Sequence, residues 1–137
     1  LFRVRFWGAV HVAKHGAKRM APGGSITLTG GTSAYRPQKG SVIATAMAGS
    51  VEHLTMGLAV QLAPIRVNAV FPGAIRTEIW DQFPEHLREA EFVRIRRQLL
   101  PRIGEADEAA EAYLYLMRGG YTTGQVLQVE GGGALGG

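Results

Sequence analysis

Residues 62–73 read LAPIRVNAVFPG. Between Pro64 and Pro72 the residues are apolar or β-branched except for Arg66 and Asn68, with no clean alternation, and both ends are closed by proline. A run of that kind is a strand covered on both faces, as parallel strands are in layered α/β folds. Working outward, Ile43, Met47, Val51, Leu54, Leu58 and Leu62 keep helical spacing, so a helix is predicted from Ser41 to about Leu62, closed by Pro64. Before it, SITLT (25–29) is short and β-branched and reads as a second buried strand, and GGTSAYRPQKG (30–40) is a loop rich in turn formers. Over the first twenty residues Val4, Trp7, Val10, Ala13, Ala17 and Met20 form one helical stripe that stops at Pro22-Gly23-Gly24.

Downstream, residues 74–100 carry Trp80, Phe83 and Phe92 and a helix expected after Pro84. ADEAAEAYLYLM (106–117) places acids in its first turn, which suits the positive end of a helix dipole. GQVLQVEGGG (124–133) is the last strand and a glycine-rich tail. The order helix, strand, helix, strand, helices, strand implies an α/β fold with right-handed crossovers and a parallel sheet. About three strands can be counted, so one sheet edge is expected to need covering by more chain or by a partner.

Composition narrows the function. The 137 residues suffice for one domain with a modest core. The chain begins at Leu1 rather than Met, so a fragment of a longer protein is the expectation. No cysteine is present, which removes disulfides, thiolate metal ligands and thiol nucleophiles together. No apolar run approaches the roughly 18 residues of a bilayer span and no secretory signal opens the chain, so a cytoplasmic protein without a membrane partner is expected. The net charge of +4 comes partly from Arg88, Arg94, Arg96, Arg97 and Arg102, interspersed with Glu85, Glu89 and Glu91. That mixture reads as a solvated helix face, and no nucleic-acid partner is expected. His11 and His15 share a helix face but lack a third ligand, so no metal site is expected.

Three stretches then stand in fixed order: GGSITLTGG (23–31), LAVQLAPIRVNAVFPGAIRTEIW (58–80), and ADEAAEAYLYLM followed by TTGQVLQVEGGG (122–133). Together they resemble the C-terminal half of the short-chain dehydrogenase/reductase family. The resemblance covers nearly the whole chain and implies a Rossmann-like, doubly wound parallel sheet, with residues 1–137 as the C-terminal part of a single domain. It implies an NAD or NADP cofactor, a small carbonyl or alcohol substrate, and a homo-oligomer, dimer or tetramer, built on the long helix and the one before it. The family's glycine-rich phosphate turn has no counterpart here. Gly131, Gly133 and Gly136 spell G-x-G-x-x-G, but no helix follows, and a flexible tail is the expectation.

In the family the catalytic tyrosine and lysine lie one turn apart just before a run that here is GSVEHLT (49–55). That register sets Ala44 at the tyrosine, Ala48 at the lysine, Gly31 at the serine and Arg5 at the asparagine of the family pattern. Methyl groups and hydrogens cannot exchange a proton, and general acid–base assistance is typically worth about 10²–10⁴-fold in rate. The ordinary mechanism is therefore expected to be crippled.

Residues 34–40, AYRPQKG, nevertheless spell Y-x-x-x-K with Tyr35 and Lys39. Such a pair needs helical geometry to share a face, and Pro37 between the two disfavours it. Tyr35 is the candidate catalytic residue, set against a plainer reading as a packed or loop-bracing tyrosine; Thr32 and Ser33 are neighbouring hydroxyls. On the cofactor side the family residues are present. By resemblance Pro72 and Gly73 lie against the nicotinamide, and the Ile75 backbone and Thr77 hydroxyl hold its carboxamide; the plainer alternative for Thr77 is a helix cap. Trp80, Phe83 and Phe92 form either a lid over the substrate or core. Two functions remain in view: an NAD(P)-linked oxidoreductase with the usual catalytic residues missing, and a catalytically inactive relative acting as an oligomeric binding or interaction protein.

Overall fold

The structure is a computed structural model that describes residues 1–136. Its centre is a three-stranded parallel sheet in the order β1-β2-β3, formed by β1 (Ser25–Thr29), β2 (Arg66–Pro72) and β3 (Val126–Val129). Ser25 pairs with Arg66 and Thr29 with Val70, while Ala69 pairs with Val126 and Pro72 with Val129. The middle strand is the one in the opening stretch, and Val67 to Phe71 are fully shielded from solvent, as a strand covered on both faces requires.

Alternation along β2 splits the core in two. Ala69 and Phe71 face α2 (Val42–Leu62), where Leu28, Met47 and Val51 complete a cluster. Val70 faces the other way, against Ala112 and Leu116 of α4 (Ala106–Arg118). Each buried Val or Phe side chain contributes about 1.5–3 kcal/mol of transfer free energy, so this sandwich of helix, sheet and helix is the main source of stability. The buried Asn68 is satisfied: its amide donates to the Thr122 carbonyl (2.8 Å) and its oxygen accepts from Gln125 N–H (3.0 Å), which fastens the turn before β3 to the middle strand.

The first helical stripe is α1 (Gly8–Gly16), entered through a π-helical turn at Arg3–Trp7 and left through a 3₁₀ turn at Ala17–Arg19. Two glycines mark close approaches. A Cβ on Gly30 would stand 2.0 Å from the Phe71 ring, and one on Gly73 would stand 2.7 Å from Glu130 Cβ. Strand ends can therefore draw together only without side chains at those points.

Beyond β2 the chain continues in an extended path. Ile75 bridges in parallel to Gly104, with Arg76 N–H donating to Gly104 C=O (2.8 Å) and Gly104 N–H to Ala74 C=O (2.9 Å). A 3₁₀ turn at Glu78–Gln82 leads to α3 (Glu85–Ile95). At the start of α4 the Glu108 carboxylate accepts from Glu105 N–H (2.8 Å) and pairs with Arg102 (2.6 Å). Those bonds pull the Glu108 pKa down to about 2, the Arg102 hydrogen bond first and the backbone donor second.

Two expectations are corrected here. The glycine tail is folded, not loose: Glu130 accepts from the N–H groups of Gly132 (3.1 Å) and Ala134 (2.6 Å), and Arg36 donates to the carbonyls of Gly133 and Gly136. Also, α2 is by length and composition apolar enough to cross a bilayer, and only a minority of it is buried. Glu52 is the one Asp, Glu, Lys or Arg in α2, too few to offset its apolar length. One face of α2 packs on β2, and Val42, Ile43, Met56 and Val60 stand exposed.

Candidate functional site

All three strands end on the same side, and a cleft of about 1020 Å³ opens there. Its floor comes from Thr29 and Gly30 after β1, Pro72 and Gly73 at the end of β2, and Glu130 after β3. A crevice outside the carboxyl ends of parallel strands is where open α/β sheets bind ligands, and the volume suits a cofactor or drug-sized molecule.

The wall beyond β2 holds all four residues expected on the cofactor side: Pro72, Gly73, Ile75 and Thr77. Thr77 precedes the 3₁₀ turn with extended backbone (φ −152°, ψ 168°), but its hydroxyl makes no capping hydrogen bond. Among the described residues it has no protein partner, so it can bond to a ligand. The Ile75 carbonyl accepts from the Trp80 indole N–H (2.6 Å), which fixes the ring at the cleft wall and leaves that oxygen one further lone pair. Trp80 stacks on Phe92 (5.6 Å, 25°) and meets Phe83 at a tilt (6.3 Å). The two readings of this trio divide by residue: Trp80 and Phe83 line the cleft, while Phe92 supports Trp80 from outside the lining.

The wall beyond β1 is different. No residue of α2 lines the cleft; Ala48 is fully buried and Ala44 half-buried. At Gly31 the position of a side chain is open space. Tyr35 and Lys39 part company: Lys39 lines the cleft and Tyr35 does not. The Tyr35 ring leans on Phe71 (5.8 Å), and its hydroxyl donates to Glu52 Oε1 (2.7 Å). Burial, then the Glu52 hydrogen bond and charge, push the phenol up to about 12. A phenol that exchanges protons near neutrality needs the opposite shift.

Hydroxyls that do line the cleft are Thr32 and Ser33, one turn before Tyr35, and Thr29, which lies 2.8 Å from the Tyr113 hydroxyl. The Thr29–Tyr113 pair was missed in the sequence, although the strand's period of two sets Thr29 on the face opposite Leu28 and the stripe of Ala109, Ala112 and Leu116 aims α4 at that face. Arg5, in the π-helical turn, also lines the cleft. His11 and His15 stack with ring centroids 6.4 Å apart, and no group of three metal-ligating side chains occurs among the described residues.

Comparison with known proteins agrees with this geometry. Residues 1–133 match the family model described as enoyl-(acyl carrier protein) reductase. The short-chain dehydrogenase/reductase MalC of Malbranchea aurantiaca is 39% identical over 132 residues, covering 94% of this chain and 50% of that protein. A short-chain dehydrogenase/reductase of Stachybotrys chlorohalonatus is 40% identical over 111 residues, covering 81% and 44%. The crystal structure of a small-chain dehydrogenase in complex with NADPH superposes with a TM-score of 0.92 at 40% identity, covering 98% of this chain and 62% of that one. This chain thus spans about half the length of the curated relatives it matches. Its sheet order, its cleft and these likenesses agree: the chain belongs to the short-chain dehydrogenase/reductase family.

Proposed function

We propose that this chain forms the nicotinamide and substrate side of an NAD(P)-linked oxidoreductase acting on a small carbonyl or alcohol compound, with the proton relay of the long helix replaced. The observation that carries the reading is the cofactor wall: Pro72, Gly73, Ile75 and Thr77 line one cleft at the strand ends, and the Thr77 hydroxyl is held by no cap. These residues fit a nicotinamide amide, with Thr77 bonding the carboxamide and Pro72-Gly73 keeping the backbone flat beside the ring. The bound cofactor supplies or accepts a hydride. The protein's part is to orient the substrate, exclude water with Trp80 and Phe83, and hold its oxygen with the Thr32 or Ser33 hydroxyl.

Support for a replaced relay comes from α2, which offers the cleft no side chain, and from Tyr35, whose hydroxyl is engaged by Glu52. Tyr35 in this reading braces the loop on Phe71 and α2. The test is reduction of a panel of small aldehydes and ketones by the full-length gene product and its Tyr35→Phe variant. Equal turnover is expected; a loss of about 100-fold or more, the scale of a missing general acid, would restore Tyr35 as the donor.

A second reading has its own observation. Val42, Ile43, Met56 and Val60 leave an apolar stripe on α2 exposed, and Trp7 and Val12 do the same on the preceding helical segment. Such a surface suits a homo-oligomer, dimer or tetramer, in an active enzyme or in an inactive relative that binds partners. We place either form in the cytoplasm. Absence of turnover across the panel together with a defined oligomer by light scattering would favour the inactive form.

A further inference from the structure

The cleft has two chemistries on its walls. Ile79, Phe83 and Leu87 are each about half-exposed, at 47%, 45% and 49%, and with Trp80 they present an apolar surface. The same cleft is lined by five cationic side chains and two acidic ones, an excess of three positive charges. Both acids are engaged within the protein: Glu91 accepts from Arg94 Nε (3.0 Å), and Glu130 accepts from the tail's N–H groups. Arg36 donates to the tail carbonyls. Arg5, Lys39 and Arg88 have no carboxylate within ion-pair distance among the described residues.

Cations beside a low-dielectric apolar wall focus a positive field into the cleft. A neutral hydrophobic ligand would cover the aromatic wall but desolvate the cations without a partner, at a cost. A small anion without an apolar body would leave the aromatic wall uncovered. A molecule with an apolar body and one carboxylate satisfies both.

We propose that the substrate held in this cleft is an apolar carbonyl or alcohol compound bearing a carboxylate, which Arg5 and Lys39 bind. This rests on the oxidoreductase reading above and specifies its substrate class. Arg5 stands where the family pattern has an uncharged asparagine, so the substitution that removes a relay residue supplies an anion site. Arg88, on the first turn of α3, adds to the field from the apolar side.

The test is isothermal titration of the full-length gene product with 4-phenyl-2-oxobutanoate and with its ethyl ester, with and without NADP⁺. Wild type is compared with Arg5→Gln and Lys39→Gln, each checked for native circular dichroism. The acid is expected to bind about tenfold tighter than the ester, the scale of a charge-assisted hydrogen bond. Each variant should lose most of that preference with ester binding unchanged, and added salt should reduce it in wild type. Equal binding of acid and ester, a preference that survives both substitutions, or no binding of either compound would overturn the proposal. Titration with NADPH alone on the same samples reports the cofactor reading independently. Lys39 lies in an exposed loop, so its variant remains informative if Arg5→Gln fails to fold.

Discussion

Replacing Gly30 by alanine tests how tightly the floor of the cleft is built. The added Cβ would stand 2.0, 2.4 and 2.6 Å from three atoms of the Phe71 ring, well inside contact distance. Phe71 cannot yield easily: it is fully buried, packed with Leu28, Met47 and Val51, and bears the Tyr35 ring at 5.8 Å. Nor can Gly30 move away cheaply, because its N–H is bonded to the Val70 carbonyl (3.0 Å). Overpacking of a rigid core typically costs about 1–3 kcal/mol, and the walls here put Gly30→Ala near about 3 kcal/mol. For a chain of this length that lowers Tm by about 10 °C. Urea unfolding followed by circular dichroism should show a lower midpoint at unchanged slope. Phe71→Leu alone should cost about 1–2 kcal/mol as a smaller side chain in a buried site. Combined with Gly30→Ala it should relieve the clash, with a coupling energy of at least about 1 kcal/mol in the double-mutant cycle. A Gly30→Ala variant within about 0.5 kcal/mol of wild type, or strict additivity in the cycle, would refute the reasoning.

Two further outcomes concern polar contacts. Asn68→Ala should destabilise by about 1–2 kcal/mol, because it takes the acceptor from Gln125 N–H and leaves the Thr122 carbonyl only the longer Arg66 contact (3.4 Å); a chemical-denaturation shift below about 0.5 kcal/mol would contradict that. The Glu108 carboxyl, held down from its usual 4.5 to about 2, adds stability above pH 4.5 that is lost as pH falls toward 2. The Tm gap between wild type and Glu108→Gln should therefore be full near neutrality and close across that interval, and a gap independent of pH would show that the charge does not matter.

Much of this architecture was legible because burial leaves a pattern. The mostly apolar run of β2, without clean alternation, announced a doubly covered strand, and the stripe Met47, Val51, Leu54 and Leu58 announced the helix beneath it. That Pro72, Gly73, Ile75 and Thr77 share one wall of the cleft followed from LAPIRVNAVFPG and Thr77, since a strand end fixes where the next residues go. The tail was misjudged because glycine content says what a backbone can do, not what binds it; Glu130 and Arg36 hold it through backbone groups that carry no sequence signal. Arg5 was legible only as a departure from the asparagine of the family pattern. That it lines the cleft depends on the π-helical turn, which no side-chain periodicity encodes.

The central claim is that the nicotinamide side of the cleft is intact although the long helix offers no proton relay. Fluorescence titration of the full-length gene product with NADPH and NADH, with Thr77→Val alongside, measures it most directly. The account predicts saturable binding of at least one of the two by wild type, weakened about tenfold when the Thr77 hydroxyl is lost. Saturation that Thr77→Val leaves unchanged, or no binding of either nucleotide by wild type, would contradict it.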